Sequence, residues 1–141
     1  MKALQWVTLV FALSVAAPVQ AQSDLGGAAT AFARAWRSRD ADAIVSILAP
    51  DGVRLQLVGE RAAGLPARQA RAALSEFLGA RTSGSLDGPR LQELGGMPPR
   101  GTAEFRWQTV VQGTTEPMTH TVYVAFTRVD AGWRINEIRV F

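Results

Sequence analysis

The chain has no cysteine among its 141 residues. That excludes a disulfide framework, thiolate metal sites and a cysteine nucleophile. It also excludes the lipidated cysteine on which a lipoprotein is anchored. Lysine is nearly as scarce: Lys2 is the only one, and every other cation is an arginine. Histidine and tyrosine occur once each, as His120 and Tyr123. One histidine without cysteine cannot supply the three or four ligands of a zinc centre. Ser75 and Ser83 stand in ordinary helical and loop contexts, without the flanks of a Ser-His-acid nucleophile. Gly95 and Gly96 run into Pro98 rather than into a helix start, so no phosphate-cradling loop is present. No cofactor and no metal is expected. The net charge of +3 is small and its arginines are dispersed, which argues against nucleic acid as a partner.

What is present begins with a secretory pattern. Lys2 precedes an apolar stretch from Leu4 to Ala17 that is interrupted only by Gln5, Thr8 and Ser14. Pro18 breaks it, and Val19 and Ala21 supply small residues at positions −3 and −1. The run is shorter than the ~20 residues that span a bilayer. Residues 1–21 are therefore expected to be a signal peptide cleaved near Ala21, with no membrane anchor left behind. The product, residues 22–141, is expected in the periplasm or outside the cell as a single domain. A domain of that size buries roughly two-thirds of its unfolded surface, enough for a core without disulfides.

Helical periods fill the first half. Leu25, Ala28, Ala29, Phe32, Ala33 and Trp36 recur at helical spacing over about Asp24 to Ser38, although Gly26 and Gly27 weaken the first turn. A short helix is expected from about Asp40 to Leu48, capped by Asp40 or Asp42 and stopped at Pro50 to Gly52. Val53 to Val58 alternates as a half-buried strand, with a short partner around Arg61 to Ala63. Pro66 suits the first turn of a third helix that buries Ala70, Ala73, Leu74, Phe77 and Leu78 and ends at Gly79. Ala80 to Pro89 reads as a loop.

The period then switches from 3.6 to 2. Arg90 to Leu94 is a weak strand, and Ala103 to Val111 a strong one that alternates Phe105 and Trp107 with Glu104 and Arg106. His120 to Phe126 alternates likewise. Asp130-Ala131-Gly132 suits a hairpin loop. In the closing segment Trp133 and Ile135 have one parity and Ile138 and Val140 the other, which calls for a bulge or for burial on both faces. Helices followed by strands imply an α+β domain.

Three stretches carry a family resemblance: Phe32 to Ala43, Gln69 to Leu78, and Gly132-Trp133-Arg134-Ile135. Together they resemble the nuclear transport factor 2-like superfamily, which includes ketosteroid isomerase and scytalone dehydratase, and most of all its small secreted bacterial members without an assigned activity. The resemblance covers about Asp24 to Phe141. It implies N-terminal helices packed in a strongly curved antiparallel sheet, a cone-shaped α+β barrel with a pocket at its open end. The isomerase pattern of a carboxylate on an early strand is not met, because Val53 to Val58 carries Arg54 and Gln56 instead. Dehydratases of this fold use His and Asp partners, and His120 has no evident acidic neighbour in sequence.

No catalytic residue is assigned. Trp36, Gln56, Phe105, Trp107, Tyr123 and His120 are the candidates for lining a pocket, and the aromatic ones serve equally as core between sheet and helices. Arg106 and Arg128 can hold an anion, or lie along an outer face with their stems on apolar surface. The expected function is a non-catalytic binding or interaction domain for a small apolar ligand or a protein partner. Homodimerisation is expected through the sheet face bearing Val110, Thr121, Tyr123 and Ala125. The alternative is a small lyase or isomerase using Tyr123, His120 and Glu60.

Overall fold

A computed structural model describes residues 24–130 and 132–141. The segment read as a signal peptide and the central residue of the Asp130-Ala131-Gly132 loop lie outside the described residues. Among the described residues nine elements follow in order: α1 Leu25–Arg37, α2 Ala41–Val45, β1 Val53–Leu57, β2 Glu60–Leu65, α3 Ala67–Gly79, β3 Arg81–Leu94, β4 Arg100–Val111, β5 Pro117–Val129 and β6 Gly132–Val140. No helix among the described residues is long and apolar enough to cross a membrane.

The glycine pair that weakens the first turn of α1 is offset by Asp24, whose carboxylate accepts from the Gly27 N–H at 2.6 Å; such a cap contributes about 1 kcal/mol. Asp40 does the same for α2 through Ala43 N at 3.1 Å. That helix is shorter than the sequence suggests and stops at Val45. Pro66 stands at the N-cap of α3 in extended backbone (φ −65°, ψ 158°), one position before the first turn.

One six-stranded sheet has the order β2-β1-β6-β5-β4-β3. It is mixed: β1 runs parallel to β6, and the other four pairings are antiparallel. The sheet curls around the three helices as a cone. β6 therefore lies in the middle, where Ile135, Ile138 and Val140 are buried. The parity change has a local cause. Ala125 pairs with Glu137 but Phe126 pairs with Ile135, so Asn136 is an extra residue in a bulge.

Residues 81–89 form the first part of β3, not a loop. Register shifts between Ser83 and Leu86 and between Asp87 and Arg90 absorb Gly84, Gly88 and Pro89. The end of α1 fixes the same stretch from the helix side: Arg37 donates to the Leu86 carbonyl at 2.8 Å and Arg39 to the Arg81 carbonyl at 3.1 Å. The core between helices and sheet is a continuous apolar cluster containing Phe32, Trp36, Leu74, Phe77, Phe105 and Trp107.

Candidate functional site

The sheet has two faces, and the six candidate residues divide between them. Phe105, Trp107 and His120 face the helices, and Trp36 meets them from α1. Trp36 and Trp107 are both 0% exposed and meet edge to face with ring centres 5.2 Å apart. Phe77 packs against both, at 6.2 and 5.9 Å. Phe32 bridges Trp36 and Phe105 at 5.3 and 5.7 Å. These separations suit aromatic pairs that contribute about 0.5–1.5 kcal/mol each beyond burial. The rings occupy the cone interior as packing.

His120 continues that cluster, 5.9 Å from the Trp107 ring and 7% exposed. Its Nε2 and the indole Nε1 of Trp36 are buried without a hydrogen-bond partner. Arg81 closes this end. Its guanidinium lies 4.0 Å from the Phe77 ring centre and donates to the Phe77 carbonyl at 3.1 Å. Burial lowers the pKa of Arg81. Burial, and secondarily the charge of Arg81, lowers that of His120 below its usual 6.5. Thr102, Thr109 and His120 are the buried polar residues among those described, so no described carboxylate enters the interior. The Thr109 hydroxyl is already committed to the Thr82 carbonyl at 2.9 Å.

Gln56 and Tyr123 point the other way. Strand register puts them in one row across all six strands, on the face turned from the helices. Arg61 stands opposite Gln56, Gln56 opposite Arg139, Arg139 opposite Tyr123, Tyr123 opposite Glu104, and Glu104 opposite Arg90. Arg139 lies 5.5 Å from the Tyr123 ring and 6.0 Å from that of Phe141. Beside this row, Glu137 is paired with Arg54 at 3.3 Å and with Arg139 at 3.6 Å. Among the described residues, four depressions of about 430–490 Å³ open on this face. Neighbouring depressions share lining: Arg54 and Glu137 join two, Tyr123, Leu94 and Thr102 join the next, and Arg90 and Glu104 the last. They form one furrow.

Three solved structures share this curled sheet over helices. A DUF4783 family protein from Bacteroides uniformis is 16% identical, with a TM-score of 0.66 over 79% of this chain and 93% of that one. An LEH-like epoxide hydrolase from M. tuberculosis is 21% identical, with a TM-score of 0.57 over 80% and 77%. A protein of unknown function with a cystatin-like fold, from Nostoc punctiforme, is 16% identical, with a TM-score of 0.57 over 80% and 84%. The fold is the nuclear transport factor 2-like, cystatin-like fold. No protein-family model matches the sequence, and neither does any curated protein. At these identities the likeness concerns the fold, and the nuclear transport factor 2-like fold does not prescribe a chemistry.

Within this fold the candidate residues do not line one pocket: four are interior and two are on the outer face. The side chain of Glu60 lies outside the described ones. Tyr123 and His120 point to opposite faces of β5. Among the described residues no group of three or more His, Asp or Glu converges as a metal site. Sequence reading missed Arg81, which stood in an expected loop, and Arg61, Arg90 and Arg139, whose common row emerges only from register. Alternation along β1, β4, β5 and β6 could have placed the row's inner members on one face.

His120 gives the first expected result. Its folded pKa lies below the unfolded value, so the unfolded chain takes up the proton first as pH falls. The stability contributed by neutral His120 is therefore complete above about 6.5 and declines as pH drops from there toward the folded pKa. Denaturant titrations of wild type and His120→Gln between pH 8 and 5 should show the gap between the two proteins changing in this window. A constant gap would contradict the buried neutral imidazole.

Proposed function

We propose that the protein is a secreted or periplasmic, non-catalytic binding domain whose working surface is the outer sheet face. One observation carries this reading: the rings of Phe32, Trp36, Phe77, Phe105 and Trp107 pack on one another inside the cone, while the furrow lies on the opposite face. A protein partner suits a furrow of this extent better than a small apolar ligand does. The test is native mass spectrometry of the protein purified from its own host. The expected result is one partner at fixed stoichiometry, retained by Trp36→Phe and lost by Tyr123→Ala, on a chain whose mass begins at Gln22. A small apolar molecule kept by Tyr123→Ala and lost from Trp36→Phe would place the ligand in the cone and overturn the reading.

The second reading is a small lyase or isomerase, favoured by Trp36 Nε1 and His120 Nε2, two of the three buried polar atoms without a hydrogen-bond partner among the described residues. A neutral imidazole is the form that accepts a proton in general base catalysis, and one protein of this fold is described as an epoxide hydrolase. Assays for double-bond isomerisation, for elimination of water and for epoxide opening together separate the readings. Equal rates for wild type and His120→Gln, both at the level of buffer, remove the enzymatic one.

A further inference from the structure

We propose that the outer furrow binds an extended acidic polypeptide segment carrying an apolar side chain between its acidic residues. This rests on the reading that the outer face is the working surface, and names the class of partner for it.

Charge supplies the first argument. The furrow is lined by Arg54, Arg61, Arg90, Arg100, Arg106 and Arg139, against Asp87, Glu104 and Glu137. Of the chain's net charge of +3, one unit is Lys2 in the expected signal segment, so the furrow's excess of three is larger than the net charge of the domain that remains. Among the described residues Arg61, Arg90, Arg100 and Arg106 have no ion-pair partner. Their guanidinium forks match carboxylates in a bidentate manner.

Shape and spacing supply the second. The row from Arg61 to Arg90 crosses six strands, roughly 24 Å at sheet spacing, which is the reach of about seven extended residues. Arginines stand at its two ends and at Arg139, so acidic groups on a segment laid along the row meet cations at intervals. Between them lies Tyr123, half-buried, with Leu94, 37% exposed, close by in the same depression. An apolar side chain on the segment is received there.

The same features disfavour the other occupants. A second copy pressed face to face would oppose arginine-rich surfaces and gain few pairs, because Glu137 already serves Arg54 and Arg139. A nucleic acid or an anionic lipid surface presents continuous negative charge, which Asp87, Glu104 and Glu137, interleaved with the arginines, repel.

The test uses fluorescein-labelled octapeptides in anisotropy titrations with the purified chain. One alternates Glu with Ser around a central Phe, and its counterpart carries Lys for Glu. The acidic peptide is expected to bind and to weaken with salt, and the lysine peptide to fail. Arg61→Glu and Arg90→Glu, both exposed positions, should each weaken binding roughly tenfold. Arg68→Glu on the exposed side of α3 should leave it unchanged, and circular dichroism checks that all variants fold. Equal binding of both peptides, no effect of the reversals, or tighter binding of an oligothymidylate or of phosphatidylglycerol vesicles overturns the proposal. So does sedimentation showing that Arg61 and Arg90 hold two copies together. If the native complex depends on Tyr123 but the acidic peptide does not displace its partner, the acidic-segment inference fails and the outer-face reading stands. If the native complex ignores Tyr123, the outer-face reading itself fails.

Discussion

Trp107→Ala is expected to remove about 3–5 kcal/mol of folding stability, the largest loss from any single truncation in the domain. Trp107 is fully buried and touches Trp36, Phe77 and His120 at once. It joins α1 and α3 to β4 and β5, so no single neighbour can collapse into the space it leaves. Domains of this kind hold about 5–15 kcal/mol in total, so the variant should unfold at markedly lower urea with an unchanged m-value. Trp36→Phe makes the informative comparison. It keeps a ring against Phe32, Phe77 and Trp107 and deletes an indole N–H that has no partner. An unpartnered buried donor costs about 1–3 kcal/mol, which offsets part of the lost contact. A Trp107→Ala midpoint within error of wild type would mean that the interior is loosely packed, and the interior would again be a candidate pocket.

Gly52→Ala is expected to cost about 2–3 kcal/mol, from strained backbone together with a steric conflict. Gly52 has φ +100°, and a Cβ there would lie 2.8 Å from the Leu65 carbonyl oxygen and 3.3 Å from the Gly64 carbonyl carbon. Both neighbours are backbone at the end of β2 and cannot swing aside. Gly59→Ala separates the two contributions. Its φ is +91°, yet nothing lies within 4 Å of the added atom, so it carries strain alone and should cost about 1 kcal/mol. Urea midpoints of the two variants measure the difference, and equal midpoints would show that the contact with Leu65 yields. Gly52 also lines the first depression of the furrow, so its alanine variant should weaken partner binding as well as stability.

The long periodic segments were legible in the sequence because burial alone fixes them. The stripe from Leu25 to Trp36, and the alternations along β4 and β5, each present one apolar face that has a single place to go. The first half of β3 was not legible, since Gly84, Asp87, Gly88 and Pro89 are the residues that punctuate turns. They sit in a strand because bulges accommodate them and because Arg37 and Arg39 hold the carbonyls of Leu86 and Arg81 from another element. The bulge in β6 was visible as a change of parity between Ile135 and Ile138, but the parallel neighbour β1 was not, because pairing partners leave no local trace. The candidate site suffered for the same reason. Aromatic residues inside the cone were recognisable as apolar, and whether they line a space or fill it depends on packing among distant segments. The outer row joins residues from Arg61 to Arg90 through five registers, none of which is written in the residues themselves.

The parallel seam between β1 and β6 also governs how the domain holds together as a unit. Arg54 and Glu137, which pair across it, are separated by 83 positions. Closing a loop of that length carries an entropic cost of about 4 kcal/mol, against about 1.5 kcal/mol for a loop of five residues such as a tight hairpin. On one side of the seam stands a two-stranded ribbon with the helices, and on the other a four-stranded meander whose apolar face needs those helices as cover. Neither side encloses a core alone. The apolar cluster around Trp36 and Trp107 draws residues from both, so the energy that offsets the long closure appears only when the halves meet. Melting is thereby concentrated into one cooperative event, and a partner gripping the furrow from Arg61 to Arg90 spans that seam and clamps both halves at once.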